Sequence, residues 1–381
     1  MAAALAAAPV PRQQAQAPAV EHVVVFQEPG RYGGWPANHG IWAWGDEILV
    51  GFSAGHMDLN APKEAKSGAP ARHPVDRTKP EQHLLARSLD GGRTWKIEHN
   101  PGLIPPPRTG HMAGVPTEGG GAAAKAYPGG VDFTSKDFLL TLRMGDIHKG
   151  PSWFFTSTDR GHSWNGPFEF PDLGLKGIAA RTDYLVRDSD TMLVFLTGAK
   201  ENGREGRPFM ARTDDGGRSF EFVSWIGPEP PEGFVIMPSS VRLDDGTIVV
   251  ATRRQVPDGR GIDIYSSSDE GRTWAMVTTA VQDTGRGNPP SMIKLTDGRL
   301  ALTYGVRAEP YGIRAKLSGD GGRTWGPELV LRADAADWDL GYTRTVQRPD
   351  GKLLTVYYYN DRSIPERYIA GTIWDPGPAD K

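Results

Sequence analysis

The chain has 381 residues, 38% of them hydrophobic, with 48 glycines, 32 prolines and a net charge of −3. That balance carries no basic footprint for nucleic acid, and no apolar run approaches the ~20 residues that cross a membrane as a helix. There is no cysteine, which excludes disulfides, thiol catalysis and Cys-ligated zinc.

The first 20 residues, MAAALAAAPVPRQQAQAPAV, read either as a disordered Ala/Pro/Gln tail or as a secretory-signal remnant. A small-residue site at Ala15-Gln16-Ala17 favours the second reading, and the basic segment that opens a signal is missing. A signal implies a secreted or periplasmic protein. Residues 21–376 are expected to form one domain, followed by a short tail at 377–381.

Within that domain short alternating runs, rich in β-branched and aromatic residues, fall in fours. Blade 1 is expected at 40–44, 47–52, 83–88 and 94–98, and blade 2 at 130–133, 138–143, 153–157 and 164–170. Blade 3 takes 182–186, 192–197, 209–213 and 220–225, and blade 4 takes 239–243, 247–253, 262–266 and 274–278. Blade 5 takes 291–295, 300–304, 312–317 and 325–331. Blade 6 has three strands at 343–347, 352–358 and 368–373, and the run at 23–26 is left to complete it. The fold class is therefore all-β, a six-bladed propeller of four-stranded antiparallel blades closed by the N-terminal strand. Closure removes two open sheet edges.

A repeated octapeptide marks the blades. SLDGGRTW at Ser88 to Trp95 recurs at Ser157 to Trp164, Thr213 to Phe220, Ser267 to Trp274 and Ser318 to Trp325. The shared form is Ser/Thr-x-Asp-x-Gly-x-Thr/Ser-Trp/Phe, with the Asp residues 69, 56, 54 and 51 residues apart. A period near 40–50 residues is a propeller signature. Asp and Gly suit a turn between the third and fourth strands, and the aromatic residue plugs inward. The boxes are thus structural. Loops 53–82 and 100–129 lie on the opposite face, around the channel mouth, and seven of the nine histidines fall between His39 and His148. Function is expected on that face.

These boxes on six blades resemble the sialidase (neuraminidase) superfamily over about residues 22–376. The resemblance implies a glycoside hydrolase that removes an acidic terminal sugar from a glycan or oligosaccharide, with no cofactor, nucleic acid or membrane partner. In that family three arginines clamp a carboxylate, a Tyr–Glu pair supplies the nucleophile and an Asp is the acid/base. Tyr342 stands eight residues before Asp350-Gly351, as the family's nucleophile does, and Arg253 stands eight residues after Asp245-Gly246, as its second arginine does. Asp76 takes the acid/base role, with Asp58 behind it. The third arginine is Arg307 or Arg314. Two parts depart from the pattern. The first arginine is missing around Trp35, Asn38 and His39, and Met237 occupies the place of the activating Glu. Glu229 and Glu232 could replace that Glu only from a loop.

Three readings stay open. In the hydrolase, Arg253, Arg307 and Arg181 bind the anion, Arg143 and Arg344 extend the set, and a protonated His39 replaces the lost arginine. In a uronate-dependent glycan lyase or a rhamnosidase-like enzyme, His39 or Tyr342 is the base, with Trp35, Asn38, His56, His111, Arg143 and His148 nearby. In a binding propeller without chemistry, Trp35, Trp42, Trp44 and Tyr311 stack on sugars. His56, Asp58 and His73 have no diagnostic metal spacing, so no metal is expected.

Overall fold

The computed structural model describes residues 18–61, 72–364 and 366–379. Of the leader or tail reading over residues 1–20, residues 1–17 lie outside the described residues, and Val20 already opens the closing strand. Six antiparallel sheets form a propeller. Blade 6 is built from Gly341–Gln347, Leu353–Tyr359 and Tyr368–Trp374, and Val20–Phe26 pairs with the last of these to close the ring. Val23 faces Gly371, Val24 faces Ala370, and a bulge sets Phe26 against Ile369.

Blades 4 and 5 have the expected four strands. Blade 4 runs through Phe234–Arg242, Ile248–Gln255, Ile262–Ser267 and Ala275–Val281. The innermost strands of blades 1 and 3 are each broken in two. In blade 1 Arg31–Gly34 and Ile41–Trp44 both pair with Glu47–His56, and a 3-10 turn, Pro36–Asn38, sits between them. In blade 3 the two halves are Ile178–Ala179 and Tyr184–Val186.

Blade 2 corrects the expectation of four strands throughout. Among the described residues it has three, Leu139–Met144, Ser152–Ser157 and Asn165–Phe170. Residues 130–133 form no strand. Gly129 and Gly130 take positive φ, and the Asp132 carboxylate accepts from the Thr134 N–H and hydroxyl, which turns the chain instead of extending it.

The boxes are interblade gaskets. In the first, Asp90 accepts from the backbone N–H groups of Arg93 and Thr94, both at 2.9 Å, and from the Thr94 hydroxyl at 2.7 Å. The Ser88 hydroxyl accepts from the Gly92 N–H at 2.8 Å. Gly92 needs its φ of +91° and its lack of a side chain, because a Cβ there would lie 2.5 Å from Leu354 of blade 6. The same box position in blade 2, Gly161, abuts Leu49 of blade 1, and Gly271 of blade 4 abuts Met210 of blade 3. Each turn therefore seats on the blade before it.

Hydrogen bonds from Thr273 and Ser267 lower the Asp269 carboxyl to about 2. At Asp90 slight burial acts the other way, but bonds from Thr94 and Ser88 outweigh it and again leave about 2. A folded pKa below the unfolded value near 4 gives stability that is present above about pH 4 and lost as pH falls through 2. Thermal melts of the wild type from pH 5 to pH 2 should show this loss, and Asp269→Asn should flatten that part of the profile. An unchanged slope in the variant would remove the box carboxylate from the account.

Candidate active site

Three non-glycine residues with left-handed backbone lie on inner strands or their ends at the channel: Trp35 (φ 56°), Met237 (φ 54°) and Tyr342 (φ 53°). Such conformations cost of order 1–3 kcal/mol each and persist where the surroundings over-determine them. Met237 and Tyr342 sit at register shifts of their strands. Their N–H groups are clamped, Met237 by the Thr197 hydroxyl at 3.1 Å and Tyr342 by the Asn288 amide oxygen at 2.9 Å. Asn288 is fully buried, and a Cβ on Gly341 would strike its amide at 2.3 Å. Gly341 therefore lets Asn288 set the Tyr342 backbone.

The phenol this cradle presents meets a group of arginines. Arg253 Nη1 lies 3.5 Å from the Tyr342 hydroxyl, and the Arg307 guanidinium lies 5.4 Å from the Tyr342 ring centroid. Arg307 is held by the carbonyls of Leu340 and Gly287 and by Tyr358 Oη at 2.6 Å. Arg181 lines a cavity together with Tyr342 and pairs with Glu205 at 2.5 Å. Burial lowers the Arg253 pKa from its ordinary value, with the neighbouring Arg307 and Arg181 adding to the effect. Its Nε is buried with no partner among the described residues, and so is the Nε of Arg181. Unpaired guanidinium donors around one phenol suit a carboxylate ligand.

Met237 stands, as its position in the sequence indicates, where the family's activating Glu would lie. Met237 is buried against Ala37, Ile236 and the Tyr342 ring. Glu229 is engaged elsewhere, accepting from the Glu201 N–H. Glu205 is the carboxylate that reaches this region, from the third strand of blade 3. Neither its spacing nor a box marks it in the sequence.

The cavity beside Tyr342 measures about 210 Å³ and is walled by both long loops, through residues such as His73, Asp76, Arg108 and His111. Trp35, Asn38, His39, Arg143 and Arg181 also line it, and His56 is absent from its lining. His39 differs from the protonated group expected. It is 2% exposed, bonds Ser53 Oγ at 3.0 Å, and is held neutral by burial and by the nearby Arg143 and His83. The Arg143 guanidinium is turned into the wall, donating to Thr141, to the Leu142 carbonyl and to His83 Nδ1 at 3.3 Å, and burial lowers it to about 9. Asp76 caps its own loop, accepting from the Thr78 hydroxyl at 2.6 Å and the Thr78 N–H, and these bonds hold its carboxyl below the usual range.

Arg344 lies apart from this group. It donates to the carbonyls of Ala37 and Thr182 and lines a second cavity of about 330 Å³, which Tyr342 does not line. There burial pushes Asp183 up to about 7 against the pull of Arg344. Trp42 also lines that second cavity and bonds Tyr184, while Trp44 bonds the Lys136 carbonyl. Neither stands with Trp35. The aromatic partner that sequence reasoning missed is Trp338, flanked by Arg286 and Arg307 at 5.1 and 5.5 Å and facing His73 at 5.5 Å.

A BNR repeat-like domain model matches residues 141–355. No curated protein matches the chain. Among solved structures, a protein of unknown function from Dyadobacter fermentans is 20% identical with a TM-score of 0.68, over 93% of this chain and 99% of that one. The NanB sialidase of Streptococcus pneumoniae is 14% identical with a TM-score of 0.56, over 93% and 70%. An α-L-arabinanase of Penicillium chrysogenum is 13% identical with a TM-score of 0.60, over 94% and 99%. At these identities the likeness is one of fold, and the fold is sialidase-like.

Proposed function

Because the chain belongs to the BNR repeat-like domain family, we propose that it is a glycoside hydrolase that removes a carboxylate-bearing terminal sugar from a glycan. The observation that carries this reading is the 3.5 Å approach of Arg253 to the Tyr342 hydroxyl, with the Arg307 guanidinium 5.4 Å from the Tyr342 ring and Arg181 lining the cavity that Tyr342 lines. A sugar acid seated there places its carboxylate on the arginines and its anomeric carbon toward Tyr342. A tyrosine nucleophile suits an anomeric centre that bears a carboxylate, because a carboxylate nucleophile would be repelled by it. Arg253 stabilises negative charge that develops on the phenolic oxygen. That the NanB sialidase and the α-L-arabinanase share this scaffold is consistent with glycan chemistry and does not name the sugar.

A second reading rests on Met237. With Met237 in place of the activating Glu, the phenol could act as base toward the carbon next to a uronate carboxylate, and the glycan would break by elimination.

A panel of α-sialosides and glucuronate-linked oligosaccharides separates the two. Hydrolysis releases a free sugar acid, and elimination yields an unsaturated uronate that absorbs in the ultraviolet. Arg253→Met should raise KM or lower kcat/KM by about 10- to 150-fold, the equivalent of about 1.5–3 kcal/mol for one charge-assisted contact. Neutral glycosides turned over as well as acidic ones, or an Arg253→Met variant with wild-type kinetics, would reject the anion clamp.

A further inference from the structure

We infer that His73 is the proton-transfer residue of this site, oriented by the buried Asp339; the inference rests on the hydrolase reading above. His73 Nδ1 lies 2.6 Å from Asp339 Oδ1, and the imidazole is a quarter exposed on the cavity wall while the carboxylate is 1% exposed. Engagement of Nδ1 by a carboxylate fixes the tautomer and leaves Nε2 to face ligand. Among the described residues, the hydrogen bonds of His73 run through Nδ1 and none reaches Nε2. The ring is also held edge-on to Trp35 at 5.4 Å and against Trp338 at 5.5 Å.

Asp339 does not need His73 to be buried. It also accepts from Tyr358 Oη at 2.8 Å, Tyr32 Oη at 3.1 Å and Arg367 Nε at 3.0 Å. Burial alone would raise its pKa; His73, Arg367 and Arg307 outweigh that and keep it ionised. A carboxylate already satisfied by three other donors, yet turned on an exposed imidazole, is an orienting group rather than one waiting for a partner. Tyr358 also accepts from Arg307, so one hydrogen-bonded chain links His73, Asp339, Tyr358 and the anion site. Tyr342 packs against Tyr358, with ring centroids 5.9 Å apart. Nucleophile and imidazole line one cavity.

In the first half-reaction the Tyr342 oxygen bonds the anomeric carbon as the glycosidic C–O bond breaks. His73 Nε2 gives its proton to the departing oxygen, and the phenolic proton passes to water in the open cavity. In the second half, neutral His73 takes a proton from the water that attacks the anomeric carbon. The Tyr342–carbon bond breaks, and the phenolate takes a proton from solvent. The net reaction is hydrolysis.

The test uses 4-nitrophenyl and methyl glycosides of whichever sugar acid the wild type releases. His73→Asn keeps a donor toward Asp339 and cannot shuttle a proton. It should lower kcat/KM on the methyl glycoside by about 10²–10⁴-fold, lose less than about tenfold on the 4-nitrophenyl glycoside, and melt as the wild type does. In His73→Gly, imidazole added to the buffer should restore turnover of the methyl glycoside. Equal losses on both substrates, or no loss on either, overturn the inference alone. A wild type inert on every acidic glycoside overturns the hydrolase reading and takes this inference with it.

Discussion

Tyr342→Phe is expected to lower kcat/KM on the acidic substrate by about 10³-fold or more, the scale seen when a covalent nucleophile is removed and binding groups remain. The fold should survive. The ring packs on Tyr358 and on the cluster of Ala37, Ile236 and Met237, and Arg307 lies over its face, all contacts that phenylalanine keeps. Among the described residues the lost hydroxyl gives up one hydrogen bond, with Arg253 at 3.5 Å, so Tm should move by no more than a few degrees. Substrate binding should persist, because the arginines remain, and isothermal titration with the released sugar acid would show it. A Phe variant with full turnover would move the chemistry from Tyr342 to the histidines of the wall.

Tyr342 and Arg253 were legible because each is tied to an Asp-Gly turn by a fixed strand length. A hairpin converts that spacing into a height above the turn, and both side chains arrive at the same end of the channel. The boxes were legible for the same reason, since their chemistry closes locally, between Asp90 and Thr94 for example. Residues whose partners come from another blade were not. Asn288 reaches Tyr342 from the loop before blade 5, and Asp339 gathers Tyr32 and His73 of blade 1 together with Tyr358 and Arg367. No period or motif links such positions. His39 read as a switchable charge because its residue type allows it, and burial decided otherwise. The missing inner strand of blade 2 was miscounted for a local reason: a short apolar run ending in Phe133 looked extended, and the glycines before it and the Asp132 turn bent it.

Removal of residues 1–26 is expected to abolish cooperative folding at 37 °C or lower Tm drastically. Val25 and Phe26 are 4% and 3% exposed, packed in one cluster with Phe52, Leu354 and Ile369. Burial of two such side chains contributes about 1.5–3 kcal/mol each, a large part of a typical 5–15 kcal/mol. The truncation also bares the N–H and C=O groups of Tyr368–Trp374 along a full strand, an edge that invites aggregation. The loss reaches the site, because Phe26 packs against Gly33, two residues before Trp35. A synthetic peptide of residues 18–28 added to the truncated chain should restore part of the melting transition. Point variants give a finer check, since Val24 is 53% exposed and Val25 is not. Val25→Asp should unfold the protein, and Val24→Asp should be tolerated. A truncated chain that melts with the wild type would mean that the ring holds without its first strand, and the convergence of Tyr342, Arg253 and Trp35 would need another cause.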